Sequence, residues 1–189
     1  MTLYSLVLIF HVTAVLVLSA VLSIEILSLF HLRGASTLAE ASPWIEPVPR
    51  LPLFAVGSLL VILFSGVYLV IPIATPGLAW PKVAVVALFL MGPFGAMTAR
   101  RMRAIRKAYS VQKTMNSELL GRLRDPFLKM SLGVRVATFF GIFLLVSAKP
   151  GLWESISLVG TFLVLGFLSS LLTWRRGTSL PAPSAGLGD

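Results

Sequence analysis

At 189 residues the chain carries one domain's worth of sequence. Its 57% hydrophobic and 12% charged residues, with a mean hydropathy of +0.92, exclude an ordinary water-soluble globule and point to lipid as the solvent. With no cysteine there is no disulfide framework, no thiolate metal site and no cysteine nucleophile. The net charge of +9 would suit nucleic acid, but ten of the sixteen basic residues lie between Arg100 and Arg135, where a membrane protein carries its topology signal, so anionic lipid headgroups are the expected partner and nucleic acid is not.

The first apolar segment covers residues 3–30 and contains two ionisable groups, His11 and Glu25. Pro43, Pro47, Pro49 and Pro52 mark the connection to a second segment at 51–75, with Tyr68 near its end. Pro72, Pro76, Gly77 and Pro81 mark the next connection, and Lys82 opens a third segment at 81–99. Within it, Pro93 beside Gly92 would free the Phe89 carbonyl and kink the helix. A basic stretch, 100–133, follows. In its first part Met102, Ile105 and Tyr109 recur at helical spacing among Arg101, Arg103, Arg106 and Lys107, which predicts an amphipathic continuation of the third helix against lipid headgroups. Arg100 belongs to the same basic cluster.

The fourth segment, 134–148, is the shortest. Pro150-Gly151 separates it from a fifth at 155–174, and the Pro- and Gly-rich tail 177–189 reads as disordered. Apolar runs this long cannot be barrel strands. Backbone groups in lipid must be paired within the segment, so the expected fold class is all-α: one polytopic transmembrane bundle of five helices over residues 1–176. No internal repeat and no GxxxG pair is present.

Orientation follows from the charges. With the basic stretch in the cytoplasm, five spans place Arg33, Arg50, Arg175 and Arg176 inside as well and leave only Lys82 and Lys149 outside, which puts the N-terminus outside and the C-terminus inside. Residues 1–20 lack the basic region of a cleaved signal peptide, and their apolar run continues beyond Ser19-Ala20.

Charged or ionisable side chains are costly within a span, which makes His11 and Glu25 the first functional candidates. Fourteen residues apart, they share nearly one face of a helix and sit ~21 Å apart along it. On the outer level, Tyr68, Lys82 and Lys149 can join His11. A neutral imidazole there can ligate haem iron or copper, relay a proton, or simply bond a neighbouring helix. Lys82 and Lys149 also read as snorkelling residues, with Trp80 and Trp153 as interfacial anchors. On the inner level Glu25 has Arg50, Arg100, Arg101 and Arg135 within reach, either as static ion-pair partners or around a proton-relay carboxylate. His31 sits at the cytoplasmic boundary, solvated. No phosphate loop, dinucleotide fingerprint, metalloprotease helix or serine nucleophile elbow occurs.

Several positions together resemble small bacterial membrane proteins of the CopD and HemJ type and, more nearly, an uncharacterised family of integral membrane proteins related to both. Phe10-His11-Val12 resembles the first-helix histidine, Phe30-His31 the aromatic-histidine pair that ends that helix, and Pro49-Arg50-Leu51 the entry to helix two, which runs to a matching Gly66. Trp80-Pro81-Lys82 resembles the start of helix three, and Ala148-Lys149-Pro150 the Lys-Pro ending of the fourth helix. The resemblance covers residues 5 to 149. It implies a four-helix core plus one additional C-terminal helix, and a cofactor site, haem b or copper, involving His11 and Lys82, which Tyr68 can join on the outer level. HemJ-type proteins are haem-associated protoporphyrinogen oxidases, and CopD-type domains are linked to copper handling.

Two departures separate the chain from the oxidases. Leu90-Met91-Gly92-Pro93 stands where those carry a second histidine, and Leu16 to Ala20 lack their tryptophan and glycine. The expected function is therefore a cytoplasmic-membrane protein binding haem or a metal near His11 in a redox role. The alternatives are a proton-coupled small-solute or ion transporter and a non-catalytic membrane partner. Because one chain offers few axial ligands, a homo-oligomer is also expected as a way of completing a bis-histidine site.

Overall fold

The computed structural model describes residues 2–35, 37–45, 50–73, 78–111, 121 and 125–175. Pro47, Pro49, Pro76, Gly77, Arg176, much of the basic stretch after Val111 and the tail 177–189 lie outside the described residues. The described residues include six α-helices: α1 (Leu3–Gly34), α2 (Leu38–Ile45), α3 (Leu51–Val70, extended by a 3-10 turn at Ile71–Ile73), α4 (Trp80–Val111), α5 (Pro126–Ala148) and α6 (Leu152–Arg175). There is no strand among the described residues. All but α2 are long and apolar enough to cross a membrane, so the architecture is the all-α bundle of a multi-pass membrane protein.

Local chemistry sets the helix ends. The Thr2 hydroxyl accepts from the Ser5 amide at the start of α1, and Pro52 occupies the first turn of α3, where its missing N–H costs nothing. At the start of α5 the Asp125 carboxylate accepts from the Phe127 amide at 2.9 Å, and Pro126 follows at the first helical position. Lys149 ends α5 in the left-handed region (φ 49°) and gives its N–H to the Leu145 carbonyl.

The helix bounds depart from the sequence reading most at the fourth span. The fourth span begins at Pro126 rather than at residue 134. Lys129, Ser131 and Arg135 depress its hydropathy, yet α5 is the most buried of the five long helices, and Ser131 and Arg135 are enclosed by protein. The third helix continues through Pro93 to Val111, the continuation expected from the spacing of Met102, Ile105 and Tyr109. Its amphipathic end does not lay its apolar stripe on lipid. Met102 and Ile105 are buried against Leu32 and Ala35 from the end of α1, Ala41 and Ile45 of α2, and Leu51 and Leu128, with Tyr109 packed alongside. The helical period is as expected, but protein covers the apolar face.

Packing divides the bundle into two tight groups: α1 lies along α3, and α5 is held between α4 and α6. The groups meet less extensively, through α3 with α4 and α1 with α5. The contact between α5 and α6 is a close helix crossing. A Cβ placed on Gly166 would lie 2.7 Å from both the Gly133 carbonyl oxygen and the Ala137 Cβ, and one on Gly141 would lie 3.3 Å from the Phe162 Cβ. Gly133, Ala137 and Gly141, spaced by four, form the ridge of small residues that lets the backbones approach where dispersion must supply the attraction.

Candidate functional site

The two polar levels of α1 have different surroundings. At the first, His11 is half-buried and its Nδ1 lies 2.8 Å from Ser65 Oγ on α3. With the Ser65 hydroxyl donating to the Val61 carbonyl, its oxygen accepts from His11 Nδ1–H, the tautomer that leaves the ring's lone pair on Nε2. A Cβ on Gly66 would stand 3.3 Å from His11 Cε1, so the ring edge uses the space that a bare backbone leaves. Replacing Ser65 by alanine leaves a half-buried N–H without its acceptor. The expected cost is about 1–3 kcal/mol, read as a fall in the thermal midpoint of the detergent-solubilised protein.

Tyr68 and Lys82 do not complete this level. Tyr68 is exposed and shares a shallow groove with Val7, Phe10, Leu60, Val61, Phe64 and Ser65, all uncharged. Lys82 is exposed at the start of α4, and no hydrogen bond or ion pair among the described residues joins it to His11. Trp80 departs from the role of a belt anchor, being buried with Ala84, Ala87, Leu145 and Val159, whereas Trp153 is 79% exposed. Lys149 is exposed as the α5 cap.

Among the described residues no three of His, Cys, Asp and Glu come together. His11 brings one lone pair, and the groove beside it is lined by the Tyr68 phenol and by no cation for a haem carboxylate.

The second level is built differently. Glu25 of α1 and Arg135 of α5 form an ion pair with side chains 13% and 5% exposed, and α4 passes the guanidinium at Gly95, where a Cβ would lie 3.9 Å from Arg135 Cδ and Nη1. Of the four arginines within reach in the sequence, this register selects Arg135. Beside the pair, the Thr98 and Ser131 hydroxyls are 2.7 Å apart, and Ser131 donates to the Phe94 carbonyl. Two other buried polar atoms, Ser28 Oγ and Arg135 Nε, have no hydrogen-bond partner.

A cavity of about 490 Å³ occupies the seam between the two helix groups at this level. Leu18, Leu22 and Leu29 of α1, Ala55, Val56 and Leu59 of α3, and Met91, Gly92 and Gly95 of α4 contribute to its apolar wall, with Glu25, Ser28 and Arg135 among its polar points. Leu53 and Val56, 75% and 55% exposed, place its opening sideways between α3 and α4. Arg103 and Arg106 line the end nearest the basic segment.

The remaining basic residues have separate roles. Arg100, Arg103 and Lys107 are exposed. Arg101 pairs with Asp125 and lies over the Phe127 ring, 4.2 Å from its centroid. Asp125 also receives Arg33 Nη2 on its backbone carbonyl, and so ties together α1, α4 and α5. His31 is exposed, as expected of a boundary residue, and stacks on Trp44 of α2 with centroids 3.9 Å apart.

No family model, curated protein or solved structure matches the chain.

Ser65, Ser28, Asp125 and the Gly133–Ala137–Gly141 ridge escape a reading by charge and motif. The ridge has a legible signal, small residues at a spacing of four. Ser28 and Ser65 have none, because a serine in an apolar helix looks the same whether it back-bonds its own helix or serves another.

Proposed function

We propose that the chain is a multi-pass protein of the bacterial cytoplasmic membrane, N-terminus outside and basic segment inside, that binds an amphiphilic molecule entering from the lipid. The observation that carries this reading is the seam cavity: it is apolar over most of its wall, open sideways between α3 and α4, and supplied with an ion pair and unpartnered buried donors. Buried charge and unmet hydrogen-bonding capacity are costly in lipid and mark sites of function more often than sites of packing. The His11 level gives weaker support to a cofactor, because its imidazole is bonded to Ser65 and no group of three His, Cys, Asp or Glu forms among the described residues. The proposed orientation rests on the concentration of arginine and lysine at one end of the bundle.

Native mass spectrometry of the protein extracted in mild detergent tests the binding reading. The wild-type chain is expected to retain one amphiphile per copy. Gly92→Leu is expected to lose it, because a Cβ at Gly92 meets nothing within 4 Å and the added side chain fills the cavity. Equal retention by both proteins, or none by either, sinks the proposal. For orientation, a cysteine at Lys107 is expected to react with an impermeant maleimide in inverted vesicles and not in intact cells.

A further inference from the structure

We propose that the amphiphile is an anionic phospholipid of the inner leaflet, with its phosphate held by Arg103 and Arg106 and one acyl chain lying in the cavity. This assignment rests on the amphiphile-binding reading and deepens it. The charges that line the cavity are one carboxylate, Glu25, and three guanidinium groups, Arg103, Arg106 and Arg135. Glu25 is consumed by Arg135. Among the described residues, two cations are left at one end with no acidic residue lining the cavity to answer them, so the complementary ligand is negative there.

Arg103 and Arg106 lie three apart on α4, on one face, and Arg106 Nε is buried without a partner. Planar guanidinium forks suit a phosphate, which accepts several charge-assisted bonds at once. From Arg106 to Met91 the α4 wall runs ~22 Å at 1.5 Å per residue, the depth of one leaflet's ~15 Å of hydrocarbon plus its headgroup layer.

The second, independent observation lies deeper. Ser28, 2% exposed, and Arg135, 4% exposed, line the cavity, and the Ser28 hydroxyl and Arg135 Nε–H have no partner among the described residues. The ester carbonyls of a phospholipid, acceptors placed between phosphate and chain, match a hydroxyl and an Nε–H so placed. A free fatty acid has no such acceptors below its head, and inorganic phosphate has no chain for the leucine wall.

The test is a lipid titration of delipidated protein in a neutral detergent, followed by the unfolding midpoint from intrinsic tryptophan fluorescence. Phosphatidylglycerol is expected to raise the midpoint saturably at a concentration about ten-fold or more below phosphatidylcholine, the gain from charge-assisted bonds. Arg103→Gln with Arg106→Gln is expected to erase that gap, Arg100→Gln to preserve it, and Gly92→Leu to abolish the response to both lipids. A wild-type response that is equal for the two lipids, and still abolished by Gly92→Leu, overturns the anionic assignment while leaving amphiphile binding intact. A stronger response to oleate, or an equal one to inorganic phosphate, overturns the phospholipid assignment in the same way. A response that Gly92→Leu leaves unchanged, or no response to any lipid, overturns both.

Discussion

Glu25→Leu is expected to destabilise the detergent-solubilised protein by about 3–5 kcal/mol, and Arg135→Leu by a similar amount, because each strands the opposite charge in a site that water scarcely reaches. The side chains are 13% and 5% exposed, and the nearest alternatives are unfavourable. Arg135 Nε already lacks a partner, and the neighbouring hydroxyls of Thr98 and Ser131 are committed to each other and to the Phe94 carbonyl. The double replacement Glu25→Leu with Arg135→Leu removes both charges and substitutes groups that the surrounding leucines accept. It is expected to lie within about 1–2 kcal/mol of wild type. The resulting coupling energy, obtained from the four midpoints of a double-mutant cycle, separates an ion pair from two independently tolerated charges. Additive losses would mean that the two residues do not hold one another.

The second large effect is expected at Gly166. Even alanine there places a Cβ 2.7 Å from the Gly133 carbonyl oxygen and 2.7 Å from the Ala137 Cβ, and a backbone oxygen in a helix cannot rotate away. The α5 and α6 axes must separate, which forfeits close contact along the whole crossing. In lipid that contact is not replaced by a hydrophobic driving force. Gly166→Val is expected to cost more than about 3 kcal/mol, at or above the upper range for overpacking, and to release α6 from the bundle. Gly160→Ala, on the same helix, is the matched control. Its Cβ would meet nothing within 4 Å, so the better helix propensity of alanine is expected to make it neutral or stabilising by up to about 1 kcal/mol. Limited proteolysis with thermal unfolding distinguishes the two, and an equal response from both variants contradicts the crossing.

Much of this fold is legible in the sequence because lipid imposes a simple rule: long apolar runs must be helices. The rule reaches its limit at α5. Lys129, Ser131 and Arg135 mimic a loop when hydropathy alone is read, and only the identity of their neighbours reveals a buried helix that starts at Asp125 and Pro126. The stripe of Met102, Ile105 and Tyr109 is legible as a period, but a period cannot say whether lipid or protein covers it.

The same division holds at the candidate site. An intramembrane carboxylate and histidine stand out by cost, so Glu25 and His11 are readable from residue type and position. Choosing Arg135 over Arg50, Arg100 and Arg101 requires the rotation of α5 about its axis, and finding Ser65 requires the register of α3 against α1. The α5–α6 crossing is written at a spacing of four, but with alanine in the middle position and its glycine partner on another helix, a search for paired glycines passes over it.

The chain has no cysteine, so a single one can be placed in the cavity without a background. Ala96→Cys lies on the α4 wall of the cavity, and Val86→Cys, at a position 59% exposed, lies outside it. The decisive measurement is the rate of alkylation of each by N-ethylmaleimide in delipidated protein, with and without phosphatidylglycerol. Saturable protection of the cysteine at 96, absent at 86 and weakened by Arg103→Gln with Arg106→Gln, is the predicted result. Equal rates at position 96 with and without lipid would contradict an occupied cavity and the function built on it.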